Sequence, residues 1–277
     1  MLHRPMWSPD GRSIAVIVLT LPSRSPDTNS LAIIDVGQRK ILGRYPLSND
    51  VVHLPNNFAP PDKFRWSPDG RKVLISWGSA AVIYVDTGWI ETISRDPIVA
   101  EWAPDGEAIY YFAITRTPAT TELSGFYMKR LGQPPVTLVD PRQLAMSGFK
   151  FTKAPTYGIM VLSPTGSRLA LSFGSDKPTA DFLRFYDLRP GEPPALERPA
   201  KAVPIDEAVA ALEWAPDERA VAVGSLLFRD TRGQQPPDVR IRRLDLATDE
   251  WKILASWRLI DWREIYVFID KALSWTH

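Results

Sequence analysis

The 277-residue chain contains no cysteine. Disulfide bonds, thiolate metal sites and a thiol nucleophile are therefore excluded. Its three histidines are His3, His53 and His277, and none has a partner at the spacing of a metal-binding pair. A histidine-based metal site is not expected either. The sequence predicts neither a metal nor a cofactor.

Long apolar segments and an excess of charge are also missing. No run of about 18 apolar residues occurs, which predicts that the chain has no membrane span. The 33 basic and 32 acidic residues leave a net charge of +1, so no general attraction to nucleic acid is expected. The first repeat starts near residue 6 and leaves no room for a signal peptide. A cytoplasmic location is expected if this N terminus is native, and a periplasmic or extracellular one if a leader was removed.

Motifs of the common enzyme classes are absent from the sequence. A serine hydrolase of the peptidase type needs a G-x-S-x-G turn after a strand, followed by an Asp and a His, and the chain has no such arrangement. Phosphate-binding loops and dinucleotide fingerprints are also lacking. These absences predict that the protein is not an enzyme.

Proline and tryptophan, by contrast, are abundant, with 26 and 10 residues. Five of the prolines and four of the tryptophans belong to copies of a five-residue motif, Trp-(Ser/Ala)-Pro-Asp-Gly. Three copies are complete, beginning at Trp7, Trp66 and Trp102; one begins at Leu162 and has Thr165 for Asp; one begins at Trp214 and has Glu218 for Gly. Such internal repeats are typical of proteins built from several copies of one structural unit.

Each motif is followed by three segments with the composition of β-strands. The first segments are nearly continuous in apolar residues and so are expected to be buried on both faces; they are 14–20, 73–77, 108–115, 169–173 and 220–227. The second segments are 31–36, 81–87, 125–131, 182–188 and 239–246. The third segments, found in four of the units, are 40–47, 89–94, 135–140 and 250–256.

With the strand that leads into each motif, every unit has four strands, as in one blade of a β-propeller. The predicted fold is therefore all-β: a β-propeller of about five four-stranded blades in a single domain over 1–277. A six-bladed ring with a degenerate or incomplete last blade is the alternative. "ALSW" at 272–275 repeats "ALEW" at 211–214, and we expect the C-terminal strands to lie beside the N-terminal segment, because pairing two exposed edges removes an aggregation hazard.

The motif itself is expected to be structural. Asp and Gly tolerate the positive φ angles of a tight hairpin turn, and Pro ends the strand ladder because it has no N–H to donate. Tryptophan is large and flat enough to fill the wedge between adjacent blades. We therefore expect Trp66 and Trp102 to be buried between blades.

These motifs, each followed by an apolar strand, resemble the WD-like repeats of TolB-type β-propellers. The same repeat occurs in the propeller domains of prolyl oligopeptidase and dipeptidyl peptidase relatives. The resemblance covers essentially the whole chain. It implies a bacterial, non-catalytic binding platform in or beyond the cell envelope, and it assigns no functional residue, because the shared residues build blades.

Long loops on a rigid scaffold are where a binding site is expected. Loops 46–63, 140–158 and 228–238 are predicted to open on the face opposite the Pro-Asp-Gly turns. Their candidate partner-binding residues are His53, Asn56, Asn57, Asp62, Lys150, Lys153, Tyr157, Arg229, Asp230 and Arg232. The favoured function is a scaffold that binds a protein or peptide. The alternative is a propeller that binds or processes a small molecule or sugar at the channel mouth.

Overall fold

The computed structural model describes residues 2–18, 29–47, 63–76, 79–96, 98–116, 121–140, 142, 157–174, 181–189, 195–205, 207–227 and 237–258. The chain divides into two compact units. The first contains Met1–Thr115 and Leu123–Pro141, and the second contains Arg116–Glu122 and Arg142–His277. Each unit is built of four-stranded sheets in which every strand pairs with the next one along the chain.

The first unit holds three sheets, apart from the tip of one hairpin in the third. The first sheet is β1 (Leu2–Trp7), β2 (Ser13–Val18), β3 (Ser30–Asp35) and β4 (Lys40–Pro46). The second is β5 (Lys63–Trp66), β6 (Lys72–Ser76), β7 (Ala80–Tyr84) and β8 (Ile90–Ser94). The third is β9 (Ile98–Trp102), β10 (Ala108–Arg116), β11 (Thr121–Arg130) and β12 (Val136–Val139).

The second unit holds the other two sheets. The fourth sheet is β13 (Tyr157–Leu162), β14 (Arg168–Gly174), β15 (Asp181–Arg189) and β16 (Ala195–Ile205). The fifth is β17 (Ala208–Trp214), β18 (Ala220–Leu227), β19 (Asp238–Asp245) and β20 (Trp251–Arg258). β16 is the one outer strand that the sequence pattern did not predict; it contains Pro199 and Pro204, which are tolerated because an outer strand has one free edge.

These five sheets confirm the predicted fold class, an all-β propeller of four-stranded blades. Strands such as β6 and β9 are buried along their whole length, because each lies in a sheet with apolar residues on both faces. Packing between sheets forms the core of each unit. In the first unit Phe64 and Trp66 of β5 pack with residues of the first sheet, and in the second unit Trp214 packs with residues of the fourth sheet. Residues 259–277, on which the six-bladed alternative and the pairing of the two chain ends depend, lie outside the described residues.

The Pro-Asp-Gly turns share one hydrogen-bonding pattern. In the first copy the N–H of Gly11 donates to the carbonyl of Ser8 at 2.9 Å, and Asp10 Oδ1 accepts the N–H of Arg12 at 3.0 Å. Gly11 has φ 68°, a left-handed conformation that glycine adopts without strain. The Asp is not among the residues with positive φ. The expectation that both residues supply positive φ is thus corrected: Gly adopts that conformation, and Asp caps the turn.

The motif tryptophans join neighbouring sheets within each unit. The indole Nε1 of Trp66 donates to the carbonyl of Met6 at 3.1 Å, and that of Trp102 donates to the carbonyl of Arg65 at 3.2 Å. In the second unit Trp214 donates to the carbonyl of Val161 at 3.1 Å. Each acceptor stands just before the first residue of the preceding motif copy.

Burial of Trp66 and Trp102, at 7% and 5% exposure, confirms the predicted wedge between blades. Trp7, from the first copy, differs because it is 56% exposed. Among the motif tryptophans of the described residues, the wedge role therefore belongs to Trp66, Trp102 and Trp214.

Candidate functional site

The structure describes little of the loop face predicted to hold the site. Nine of its ten candidate residues lie outside the described residues: His53, Asn56, Asn57, Asp62, Lys150, Lys153, Arg229, Asp230 and Arg232. The backbone of the tenth, Tyr157, begins β13 and pairs with Gly174. Its position at the start of an inner strand puts it at the end of the fourth sheet opposite the Pro-Asp-Gly turn.

The corresponding end of the fifth sheet is described in side-chain detail and carries a cluster of charged residues. β17 and β19 begin at this end, and β18 and β20 finish there, as the antiparallel register of the sheet requires. We call Glu207, Ser225, Arg240 and Arg242 the loop-end cluster. Arg240 and Arg242 are two residues apart on β19 and so project from the same face of the sheet.

Glu207 is the centre of the loop-end cluster, and its side chain is completely buried. Its Oε1 lies 2.6 Å from Nη1 of Arg240, and its Oε2 lies 3.1 Å from Nη2 of Arg242. The hydroxyl of Ser225 also donates to Oε2. A buried carboxylate is tolerated only when it is paired and hydrogen-bonded, and Glu207 meets both conditions.

The two arginines differ in how far they are exposed. Arg242 is mostly buried, and its guanidinium lies over the ring of Trp251, 4.6 Å from the ring centroid, so that group is held by both Glu207 and Trp251. The side chain of Arg240 keeps 30% of its surface in solvent. A guanidinium has five N–H donors in a rigid fork, and one of those of Arg240 is used on Glu207. The cluster thus presents a positioned, partly exposed guanidinium at the loop end of the sheet.

A second ion pair lies at the same end of the sheet. Nε of Arg258, at the end of β20, is 3.4 Å from Oδ1 of Asp238, at the start of β19. The Arg258 side chain is largely exposed, whereas Asp238 is buried. An exposed arginine held by a buried carboxylate therefore occurs twice within this one sheet.

Sequence reasoning missed the loop-end cluster, although a signal was available. In "VRIRRLDL" the arginines at 240 and 242 alternate with Val239 and Ile241, a pattern that places two cations on one face of a strand. An arginine that is buried in such a sheet, as Arg242 is, needs a carboxylate nearby. Which carboxylate pairs with them depends on contacts between strands, which a strand pattern does not show.

The opposite end of the second unit carries an open cleft of about 740 Å³ between the two altered motif turns and the turn that joins β19 to β20. It is lined by Ser167, Arg168, Asp217, Glu218, Arg219, Asp245, Leu246, Ala247 and Thr248. Most of these groups make turn hydrogen bonds: Asp217 accepts the N–H of Arg219, and Asp245 accepts those of Ala247 and Thr248. Most polar groups that line the cleft are therefore already used in hydrogen bonds within the turns.

The two altered motif copies meet at this cleft. Glu218, which replaces the motif Gly, keeps a positive φ of 56°, and its Oε1 accepts the N–H of Thr165, which replaces the motif Asp, at 2.7 Å. Burial acts to raise the pKa of Glu218, but hydrogen bonds from Thr165, Ser163 and Ser167 outweigh it and hold the pKa below its ordinary value. Thr165 Oγ1 still caps its own turn by accepting the N–H of Ser167 at 3.3 Å, and the Glu218 carboxylate adds a hydrogen bond to that turn from the neighbouring sheet.

Within the described ranges, no group of three or more His, Asp or Glu side chains is arranged to hold a metal ion. The same part of the chain contains no helix with the length and apolar character needed to cross a membrane.

The chain matches no family model, and no curated protein is significantly similar to it in sequence. Solved structures do match. TolB from Acinetobacter baumannii is 15% identical, with a TM-score of 0.48, and the match covers 91% of this chain and 56% of that one. This chain therefore spans little more than half the length of that TolB.

Two further structures match more closely in shape. A protein from Agrobacterium tumefaciens described as TolB is 15% identical, with a TM-score of 0.53, over 93% of this chain and 82% of that one. The tricorn protease is 10% identical, with a TM-score of 0.57, over 92% of this chain and 26% of that one. Identities this low bear on the fold alone. Together with the five four-stranded sheets, they show that the chain has a β-propeller fold, similar to that of the protein described as TolB and of the tricorn protease.

Proposed function

We propose that the protein is a non-catalytic scaffold that binds a protein or peptide partner through its loop face. The observation that carries this proposal is the loop-end cluster, in which buried Glu207 holds Arg240 partly exposed beside the point where β18 ends and β19 begins. Arginine forks of this kind recognise carboxylate groups, so the partner group that Arg240 meets is anionic. Loop residues Arg229, Asp230 and Arg232 follow directly after β18 and belong to the same proposed surface.

The other candidate residues remain predicted partner-binding residues. They are the polar residues of loops 46–63 and 140–158, from His53 to Tyr157. Exposed Trp257, near the end of β20, adds an aromatic group of the kind enriched in protein interfaces. The envelope location implied by the TolB resemblance remains a prediction, as does the organisation of 1–277 as a single domain.

A propeller that binds or processes a small molecule or sugar at its channel mouth is the second candidate. It requires convergent carboxylates with an apolar pocket. The described cleft of the second unit is open and polar, and its acidic groups are used in turn hydrogen bonds. The protein-binding proposal is therefore preferred.

The proposal is tested by immobilising the full chain and enriching partners from an extract of the source organism, with quantification by mass spectrometry. Arg240→Gln should reduce recovery of the partner about tenfold or more, because a hydrogen bond to a charged group contributes about 1.5–3 kcal/mol. Arg219→Gln is the matched control, since it removes an exposed arginine from the turn end of the same sheet. Its recovery should equal that of the wild type.

Removing Arg240 also takes one partner from buried Glu207, so folding has to be checked. Arg240→Lys keeps the ion pair but loses the planar fork, and it should weaken recovery while leaving the melting temperature close to that of the wild type. Equal recovery with Arg240→Gln, Arg240→Lys and Arg219→Gln would contradict the proposal.

A further inference from the structure

The guanidinium of Arg240 is held by Glu207 through only one of its three nitrogens. Nη1 of Arg240 lies 2.6 Å from Oε1 of Glu207. Among the described residues, Nε and Nη2 of Arg240 have neither a hydrogen-bond partner nor an ion-pair partner. Neither nitrogen is a buried atom without a partner, so both donate to solvent. Their N–H groups form one edge of the planar fork, an edge that matches the two oxygens of a carboxylate.

Glu207 does not reach that edge because its second oxygen is already engaged. Oε2 of Glu207 accepts the hydroxyl of Ser225 and lies 3.1 Å from Nη2 of Arg242. An arginine and a carboxylate pair most strongly through two parallel hydrogen bonds. If Oε2 were released, Glu207 would therefore be expected to bind a second nitrogen of Arg240.

Arg242 is in turn held in place by Trp251, which is not part of the loop-end cluster. The guanidinium of Arg242 lies 4.6 Å from the centroid of the Trp251 ring, a cation–π contact. Trp251 pairs with Leu244 across β19 and β20, and its side chain packs against the core formed by the fourth and fifth sheets. The position of Trp251 is thus set by the core, and Trp251 limits where Arg242 can move.

We propose that Ser225, Arg242 and Trp251 are positioning residues for Arg240. They hold Oε2 of Glu207 away from Arg240, and they thereby leave the Nε–Nη2 edge open to a carboxylate of the partner. This inference rests on the proposed function. It adds which edge of Arg240 meets the partner, and it adds which residues keep that edge open.

The test uses two substitutions that leave the net charge of the full chain unchanged. Ser225→Ala removes one donor to Oε2, and Trp251→Leu removes the aromatic ring that holds Arg242. The probe is sodium acetate, followed by NMR through the Nε–H signal of Arg240. Acetate should shift this signal in the wild type. Each substitution should raise the half-saturating acetate concentration about threefold, which is the range expected for the loss of one net hydrogen bond.

A matched control accompanies each substitution. Ser76→Ala removes another buried serine, whose hydroxyl donates to the Ile98 carbonyl at 3.0 Å in the first unit. Trp251→Phe keeps an aromatic face for the guanidinium of Arg242. Both controls should require the same acetate concentration as the wild type.

Crystal structures of Ser225→Ala and Trp251→Leu provide a readout that a purely structural role would not change. In each variant a second nitrogen of Arg240 should lie within about 3.2 Å of the Glu207 carboxylate. Weaker acetate binding without this new contact would overturn the inference. So would the absence of an acetate shift at Arg240 in the wild type, or equal acetate binding by the wild type and both variants.

The loop-face proposal fails on a different result. If Arg240→Gln lowers partner recovery but Ser225→Ala and Trp251→Leu bind acetate as the wild type does, only the positioning inference is wrong. If the acetate and crystal results are as expected but Arg240→Gln recovers the partner at the wild-type level, the loop-face proposal is wrong.

Discussion

At the scale of single residues, the motif tryptophans do more than fill space. Trp66, Trp102 and Trp214 each donate an indole N–H to a carbonyl of the preceding sheet, at 3.1–3.2 Å. The buried ring stabilises the packing of one sheet on the next, and the hydrogen bond fixes the position of one inner strand relative to the inner strand of the preceding sheet. Leu162, at the same motif position in the fourth sheet, has no such donor.

Substitution of Trp102 separates these two contributions. Trp102→Ala should lower the free energy of unfolding by about 3–5 kcal/mol, as for other buried aromatic residues. Trp102→Phe should also lower the free energy of unfolding. The loss should exceed the loss expected from the smaller buried ring by about 1 kcal/mol, because the hydrogen bond from the indole N–H to the Arg65 carbonyl is removed. The control is Trp7→Ala, which should cost below about 1 kcal/mol because Trp7 is 56% exposed. Equal losses at positions 7 and 102 in urea unfolding would refute the wedge role.

The lowered pKa of Glu218 makes a second prediction at this scale. Its folded-state pKa lies below the ordinary value of 4.5, so folding favours the ionised form. The stabilisation is fully present above pH 4.5 and is lost as the pH falls through the folded-state pKa. Urea unfolding at pH 7 and pH 3 should therefore show that Glu218→Gln destabilises the protein at pH 7 and makes little difference at pH 3. A difference between wild type and variant that is the same at both pH values would contradict this account.

At the scale of elements, the two altered motif copies are joined by a hydrogen bond. Glu218 of the fifth turn accepts the N–H of Thr165 in the fourth at 2.7 Å. Thr165 also caps its own turn by accepting the N–H of Ser167, as Asp69 of a complete copy does by accepting the N–H of Arg71. The two residues that differ from the motif, Thr165 and Glu218, are far apart in the sequence but contact each other in the structure.

A double-mutant cycle tests this coupling. Thr165→Asp alone should destabilise the protein, because it places a second carboxylate beside Glu218, and Glu218→Gly alone should remove the hydrogen bond that Glu218 accepts from Thr165 of the fourth turn. The double variant restores two self-contained turns, so its loss should be smaller than the sum of the single losses by about 0.5–3 kcal/mol. Additive losses in chemical unfolding would show that the two positions are independent.

At the scale of the whole molecule, the sequence was sufficient for the architecture and insufficient for the site. The apolar runs after each motif predicted β2, β6, β10, β14 and β18 to within a few residues, because strand formation and turn chemistry are local. The loop-end cluster depends on contacts among β17, β18 and β19 that no local pattern encodes. β16 was missed for a related reason: its charged and proline residues lack the apolar pattern of a strand.

The central claim, that a partner binds the loop face, is tested most directly by hydrogen–deuterium exchange of the full chain with and without the partner recovered by enrichment. The account predicts that the partner slows exchange in loops 46–63, 140–158 and 228–238 and at the start of β19. It also predicts unchanged exchange in the turns that follow Trp66, Trp102 and Trp214. Slower exchange confined to those turns, with the loops unaffected, would contradict the account.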